Sequence, residues 1–217
     1  MKNTTHLVIT ISRQLGSGGA YIGQALSQKL NLYYADNEII QKVAEKYSLT
    51  EEYLAHRDER IESIWKSFLK FSAFSSEKFI PTDKVEPTSE ELFNAETTVI
   101  QHVAKEHPSV IIGRCGFHVL REMPNRISIY LHSDLLSRQQ RIQEVYGVSA
   151  DQAREMILQS DKERGQYIQT FTGKKWTDAR NYHLTIDTGA LGFDRSIELI
   201  LQYIRLKTNA NPASKKD

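Results

Sequence analysis

The chain has 217 residues, a formal net charge of +1 at pH 7 and 40% hydrophobic residues. This length suits one α/β domain with or without a small insertion, and a near-zero charge argues against non-specific binding to a nucleic-acid polymer. The apolar runs are too short for a signal-peptide core or a membrane span, and the single cysteine, Cys115, excludes a disulfide framework within the chain. The sequence therefore predicts a cytoplasmic protein without a membrane partner.

Short apolar runs rich in β-branched residues predict five strands, over residues 6–12, 32–36, 109–114, 126–132 and 182–188. Apolar residues at helical spacing predict the helices between them. These cover residues 19–30, 37–47, 48–74 as one or two segments, 90–107, 116–123, 134 to about 167 with a break near Gly147, and 192–206. A polar run containing Pro81 and Pro87 predicts a mobile loop over residues 75–89.

Strands that alternate with helices require a parallel sheet covered on both faces, so the predicted fold class is α/β. In such sheets, ligands bind beyond the carboxyl ends of the strands. The residues that follow the five predicted strands are Arg13 and Gly16–Gly19, Asp36, Gly113–Cys115, His132–Asp134, and Asp187 with Thr188. We therefore expect the functional site at this edge of the sheet.

The stretch ISRQLGSGGAYIG, residues 11–23, joins the first predicted strand to the first predicted helix. Its glycines free backbone N–H groups to point into one concavity, and the helix adds its positive N-terminal end. This arrangement favours phosphate; the alternative is a plain tight turn in which glycine only avoids strain. The run does not match G-x-G-x-x-G, and Asp36 comes too early for a dinucleotide site.

The order of several motifs resembles a known family. ITISRQLGSGGAYIGQALSQKL is similar to the opening of bacterial cytidylate kinases, and more similar to the cytidylate kinase-like proteins, whose loop reads ISR…GSGG…IG. The resemblance continues through YYADNEII, VIIGRCG and SDKERGQYIQTFTGKKWTDARNYHLTIDT, and it is weakest over residues 56–90.

The resemblance implies a P-loop NTPase-type three-layer fold, with a five-stranded parallel sheet, helices on both faces and a helical lid. Residues 1–207 would form one kinase-like domain, with a helical acceptor-side region at about 37–107, a lid at about 134–181 and a polar tail at 208–217. The implied reaction is phosphoryl transfer from ATP to a nucleoside monophosphate, CMP or dCMP, with Mg²⁺.

On the donor side, the resemblance places the loop amides against the ATP phosphates. The residues expected there are Gly16, Ser17, Gly18, Gly19 and Ala20. Two parts of a standard Walker loop are missing, because Gly19 stands at the lysine position and the hydroxyl position falls on Ala20 or Tyr21. Arg13 replaces the first Walker glycine, and its guanidinium is expected to supply the missing charge; the alternative is a surface ion pair.

On the acceptor side, the resemblance assigns substrate binding to Asp36, Lys42 and Arg114. The alternative for Lys42 is a solvated lysine on a helix. Arg114 follows a buried strand, where its charge demands a partner, and it stands where the family's arginine grips the acceptor phosphate. Cys115 and Ile112 occupy the positions of a base-reading aspartate and a carboxylate near magnesium. No metal ligand is therefore assigned, and Cys115 is expected to be a semi-buried thiol.

In the lid, Asp161 and Arg164 share a helix face and would contact the acceptor ribose and phosphate; the alternative is a surface ion pair between them. A basic helix could close over ATP through Arg138, Arg141 and Arg154, of which Arg154 is assigned to ATP. Trp176 and Tyr182 are expected to pack the base of the lid. The arginines expected to act on the reacting phosphates are Arg13, Arg114 and Arg164.

Three functions stay open at this point. The first is an ATP-dependent nucleoside monophosphate kinase. The second is a nucleotide-binding or sensing protein with a degenerate loop and little kinase activity, which the glycine at position 19 favours. The third is a kinase for another small molecule. The sequence leaves the oligomeric state open.

Overall fold

The computed structural model describes residues 6–36, 40 and 90–209. Within this part of the chain, five strands form one parallel sheet in the order β2-β3-β1-β4-β5. The strands are β1 (Val8–Arg13), β2 (Tyr33–Ala35), β3 (Ser109–Ile112), β4 (Arg126–His132) and β5 (Leu184–Asp187). All five predicted strands are confirmed, with ends that shift by at most two residues, and their parallel pairing is confirmed as well.

Seven α-helices lie in the described residues. They are α1 (Gly19–Leu30), α2 (Glu90–Glu106), α3 (Gly116–Val119), α4 (Leu135–Tyr146), α5 (Ala150–Thr172), α6 (Thr188–Leu191) and α7 (Phe193–Asn209). A 3₁₀ turn covers Ala179–Asn181. The predicted bounds of α1 are confirmed, but α5 continues beyond the predicted end near residue 167, and α7 takes in the first two residues of the predicted tail. None of these helices combines the length and apolar character needed to cross a membrane.

Capping residues set the break within the long polar helical region. Asp134 accepts a hydrogen bond from the Ser137 amide at the start of α4, and Gly147 ends α4 in the left-handed conformation. Ser149 then begins α5 with a capping box to Gln152. The predicted break near Gly147 is confirmed, and the two helices form an antiparallel hairpin that we call the lid hairpin.

The core lies on both faces of the sheet because successive strand residues point to opposite sides. Val8 packs against α2, through Val99 and Ile100, whereas Ile9 and Ile11 face α1 and α7. The apolar faces predicted for α2 and α7 are confirmed, since Val99, Ile100, Val103, Ile197, Ile200 and Ile204 are buried. The three-layer α/β architecture is therefore confirmed.

A smaller apolar cluster joins the loop after β1 to the lid hairpin. Leu15 from this loop packs with Ile142 of α4 and with Ala153 and Ile157 of α5, and all four residues are buried. The loop and the lid hairpin are thus in direct contact beside the main core.

Several predictions fall outside the described residues. These are the helices at 48–74, the loop at 75–89, Lys42 and the end of the tail from 210 onward. Of the helix predicted at 37–47, the structure describes Ile40, which is helical and buried against α2.

Candidate phosphate-binding site

The loop between β1 and α1 is held rigidly from inside. Its backbone turns through Gly16 and Gly18, whose φ angles are +83° and +77°. The buried Ser17 hydroxyl donates to the Gln14 carbonyl at 2.8 Å, and the Thr188 hydroxyl donates to the Ser17 carbonyl at 2.9 Å. These two hydrogen bonds hold the loop in a fixed arrangement between β1 and the start of α1, where backbone amides bind phosphate in loops of this kind.

The glycines of this loop are also sites of close packing. A Cβ on Gly16 would lie 2.9 Å from the Arg138 carbonyl oxygen of α4, and a Cβ on Gly18 would overlap the Phe193 ring of α7. Glycine is required at both positions by the positive φ and by the neighbouring atoms.

We expect Gly18→Ala to lower the stability of the fold more than Gly147→Ala. Gly147 has a similar φ of +66° but open space around it, so its substitution isolates the backbone cost of about 1–2 kcal/mol. At Gly18, crowding against Phe193 adds about 1–3 kcal/mol. Urea denaturation of the two variants measures the difference, and equal losses would contradict the close packing.

A cavity of about 280 Å³ lies over the loop. It is lined by residues 13–16 and 18–19, by the first turns of α1, by one face of α4 and by Arg164. Arg141 of α4 belongs to this lining, and its guanidinium lies 4.1 Å from the centroid of the Phe193 ring. The space and the positive charge suit a triphosphate.

A second cavity, of about 40 Å³, adjoins the first at the ends of β1 and β3. Its lining includes Arg114, Cys115, Tyr167 and Trp176. Arg13 and Arg164 line both cavities. These two residues therefore lie between the two spaces.

Arg164 joins the lid hairpin to the first strand. The residue is buried, and its Nη1 donates to the backbone carbonyl of Arg13 at 2.9 Å. Asp161, one turn earlier on α5, accepts from Nη1 of the buried Arg138 at 2.8 Å. The alternative of a surface pair between Asp161 and Arg164 is therefore wrong, because Arg164 lies inside the protein.

Arg114 lies in an unusual turn after β3. Gly113, Arg114 and Cys115 all have positive φ angles, of 75°, 46° and 55°. Such strain in non-glycine residues occurs mostly at functional sites. The turn directs Arg114 into the second cavity, as the sequence predicted for a residue at the end of a buried strand.

A buried carboxylate holds the Arg114 side chain. Glu96 of α2 has no exposed surface and pairs with Arg114 Nη1 at 3.0 Å. The Tyr167 hydroxyl donates to the other Glu96 oxygen at 2.7 Å, and the Arg114 guanidinium lies 5.6 Å from the Tyr167 ring centroid. Burial and the Glu96 charge raise the pKa of Tyr167, so this hydroxyl stays protonated and donates.

The Glu96 network was missed from the sequence. The signal was present, because Glu96 falls four residues after Leu92 and four before Ile100, on the apolar face of α2. A charged residue at such a position requires a buried partner.

The remaining predicted residues fall into two groups. Asp36 is buried at the end of β2. Burial and then the Asp36 charge raise the pKa of Tyr34, which the Arg13 charge lowers, so Asp36 and Arg13 act on the same phenol. Arg154, in contrast, is exposed on α5 and does not line either of these cavities in the described part of the chain, whereas Arg141 and Arg164 of the lid hairpin both line the cavity over the glycine loop.

Cys115 and Trp176 line the second cavity and belong to an aromatic cluster beside it. Cys115 packs with Tyr130, Trp176 and Tyr182, which confirms that Trp176 and Tyr182 pack the base of the lid. Burial raises the pKa of the Cys115 thiol to about 12, so the group is a neutral thiol and not a nucleophile.

Comparison with known proteins adds to this geometry. Residues 8–190 match the model of the cytidylate kinase-like family. No curated protein matches the chain.

Among solved structures, an uncharacterized protein from Eubacterium ventriosum is 24% identical, with a TM-score of 0.63 over 92% of this chain and 99% of that chain. Shikimate kinase from Bacteroides thetaiotaomicron is 12% identical, with a TM-score of 0.50 and coverage of 92% and 98%. A gluconokinase from Sinorhizobium meliloti is 10% identical, with a TM-score of 0.50 and coverage of 97% and 99%. At these identities the likeness establishes the fold.

Proposed function

This chain belongs to the cytidylate kinase-like family, and we propose that it transfers a phosphoryl group from ATP to a small anionic acceptor. The acceptor class that the family favours is a nucleoside monophosphate, with CMP or dCMP first. The cytoplasm, where these nucleotides occur, is part of the same proposal.

One observation carries the proposal. Arg13 and Arg164 line both the cavity over the glycine loop and the cavity beside Arg114. Phosphoryl transfer between two bound molecules needs cationic groups where the donor and acceptor sites meet, because charge develops on the group in transit. The described residues provide two arginines at that junction.

The donor side would work through fixed dipoles and charge. ATP, when bound, supplies the phosphoryl group. The amides of Gly16, Gly18 and Gly19 and the N-terminal end of α1 would bind its phosphate oxygens, whereas the Ser17 amide donates to the Gln14 carbonyl within the loop. Arg141 would close the outer side of the cavity. Because Ser17 and Thr188 already hold the loop, little ordering of the loop is required on binding.

The acceptor side would bind an anion through Arg114. Glu96 pairs with this guanidinium and accepts from the Tyr167 hydroxyl, and Tyr167 and Trp176 line the second cavity. The acceptor contacts predicted for Asp36 and Asp161 have no support from the described cavities, because neither residue lines them and Asp161 pairs with Arg138. Lys42 lies outside the described residues.

The described part of the site has no carboxylate that could bind Mg²⁺. Neither cavity has an aspartate or glutamate in its described lining, and the described residues contain no cluster of three or more acidic, histidine or cysteine side chains. Asp134 and Asp187 follow β4 and β5, but both carboxylates accept backbone hydrogen bonds as helix caps. These residues do not fit a protein-held Mg²⁺, so no step is assigned to it.

Incubation of the protein with Mg²⁺-ATP and a panel of nucleoside monophosphates tests the proposal. We expect ADP to form with CMP or dCMP and not with ATP alone. Shikimate and gluconate serve as non-nucleotide acceptors, and ADP formation with one of these alone would move the function to a different small-molecule kinase. The replacement of the family's base-reading aspartate by Cys115 is the observation that favours this third function.

A nucleotide-binding or sensing function is the second candidate. The observation that favours it is the loop itself, which has Gly19 and Ala20 where a Walker loop has lysine and a hydroxyl. Tight ATP binding in calorimetry, with no ADP formed from any acceptor, would select this candidate over the kinase.

A further inference from the structure

The Arg13 side chain fills the space that a side chain at position 19 would need. A Cβ on Gly19 would lie 2.5 Å from Arg13 Cγ and 2.9 Å from Arg13 Cβ. Gly19 is the first residue of α1 and stands at the helical end of the loop, whereas Arg13 is the last residue of β1. The aliphatic part of Arg13 therefore lies across the position from which a side chain at residue 19 would leave the helix.

This overlap suggests a physical reason for the absence of a lysine at position 19. A Walker loop, G-x-x-x-x-G-K-[S/T], has glycine at the position of Arg13 and lysine at the position of Gly19. Here the two residue types are exchanged, because the cation is on the strand and the glycine is on the helix. The second glycine of the motif, Gly18, is unchanged.

We propose that Arg13 and Gly19 are a reciprocal exchange, in which the strand delivers the phosphate-binding cation that the helix delivers in a Walker loop. This inference rests on the proposed binding of ATP over the loop. It also explains why residue 19 is glycine. A side chain at this position would overlap the Arg13 side chain, which crosses the start of α1 beside both cavities.

The surroundings of Arg13 are consistent with a fixed cation. Arg164 donates to its backbone carbonyl, and Arg13 is itself paired with Leu131 of β4, so the strand end cannot move freely. A forked guanidinium can take two oxygens of one phosphate group, which a lysine ammonium cannot do in the same fixed geometry.

Two double variants test the exchange. Gly19→Lys and Gly19→Ala should each lower the melting temperature, because their Cβ overlaps Arg13. Adding Arg13→Gly to either variant should restore the melting temperature towards that of Arg13→Gly alone. The alanine pair tests the steric overlap without any change of charge at position 19, in case Gly19→Lys fails to fold.

ATP affinity, measured by calorimetry on the full chain, tests the charge. Arg13→Gly should weaken ATP binding about 10-fold or more, as expected for loss of a charge-assisted contact. The double variant Arg13→Gly with Gly19→Lys should recover most of this loss, whereas Arg13→Gly with Gly19→Ala should recover none of it.

The result that overturns the inference is a lysine double variant that binds ATP no better than Arg13→Gly, or single Gly19 variants as stable as the original protein. Failure of the proposed kinase function has a different signature. In that case the pattern of ATP affinities and melting temperatures holds, but no acceptor in the panel gives ADP with any variant.

Discussion

Arg13→Ala is expected to abolish phosphoryl transfer and to leave the melting temperature nearly unchanged. The side chain provides charge at the junction of the two cavities, and arginines that neutralise a phosphoryl group in transit contribute about 10³–10⁵-fold to the rate of comparable enzymes. The fold is expected to persist, because Arg164 binds the backbone carbonyl of residue 13, which alanine keeps. ADP release and thermal melting measure the two effects separately.

Two further variants sharpen this experiment. Arg13→Lys keeps the charge without the fork and is expected to recover activity only in part. Arg205→Ala removes an exposed arginine of α7 that lines neither cavity, and it controls for the change in net charge. Normal turnover by Arg13→Ala would show that the required cation comes from the lid hairpin, with Arg164 as the next candidate.

The second large effect is expected at Glu96. Glu96→Ala removes the carboxylate that pairs with the buried Arg114 and that accepts from the Tyr167 hydroxyl. Breaking a buried ion pair from one side costs about 3–5 kcal/mol. For a domain of this size, the melting temperature should fall by roughly 10 °C. The matched control is Glu106→Ala, which removes an exposed glutamate at the end of the same helix and should leave the melting temperature nearly unchanged.

The Glu96–Arg114 pair also determines how Arg114 itself can be tested. Arg114→Ala alone would remove a cation from the buried Glu96 carboxylate, so a loss of stability would obscure any loss of binding. The double variant Glu96→Met with Arg114→Met replaces the pair by apolar side chains and is expected to stay folded. Acceptor binding should then fall about 10-fold or more while ATP binding is kept. Equal losses for both nucleotides in calorimetry would show that Arg114 has a structural role.

The elements of the sheet were predictable because they depend on local patterns. Each strand is a short β-branched run, and α1 begins and ends at the residues that the glycine loop and the apolar spacing indicate. The order of the strands depends on packing between distant segments, which no local pattern encodes. The extension of α5 to Thr172 was missed although Gly173 stands at its end in the left-handed conformation.

The site was predictable only where a residue's place in the chain determines its place in the fold. Arg13 and Arg114 follow strands, so their position at the sheet edge could be expected. Partners were not predictable, since Asp161 binds Arg138 from the other helix of the lid hairpin and Arg114 binds Glu96 from α2. Both pairs join segments whose separation in sequence carries no periodic signal.

The packing of Leu15 into the lid hairpin has a consequence for dynamics. Lids of kinases open and close over their loops, and such motion is often pictured as a mobile segment above a rigid floor. Here Leu15 is part of the glycine loop, but its side chain packs with Ile142, Ala153 and Ile157 of the lid hairpin. Separating the hairpin from the sheet must expose this side chain to water. We therefore expect the glycine loop and the hairpin to open together, as a single cooperative unit of local unfolding.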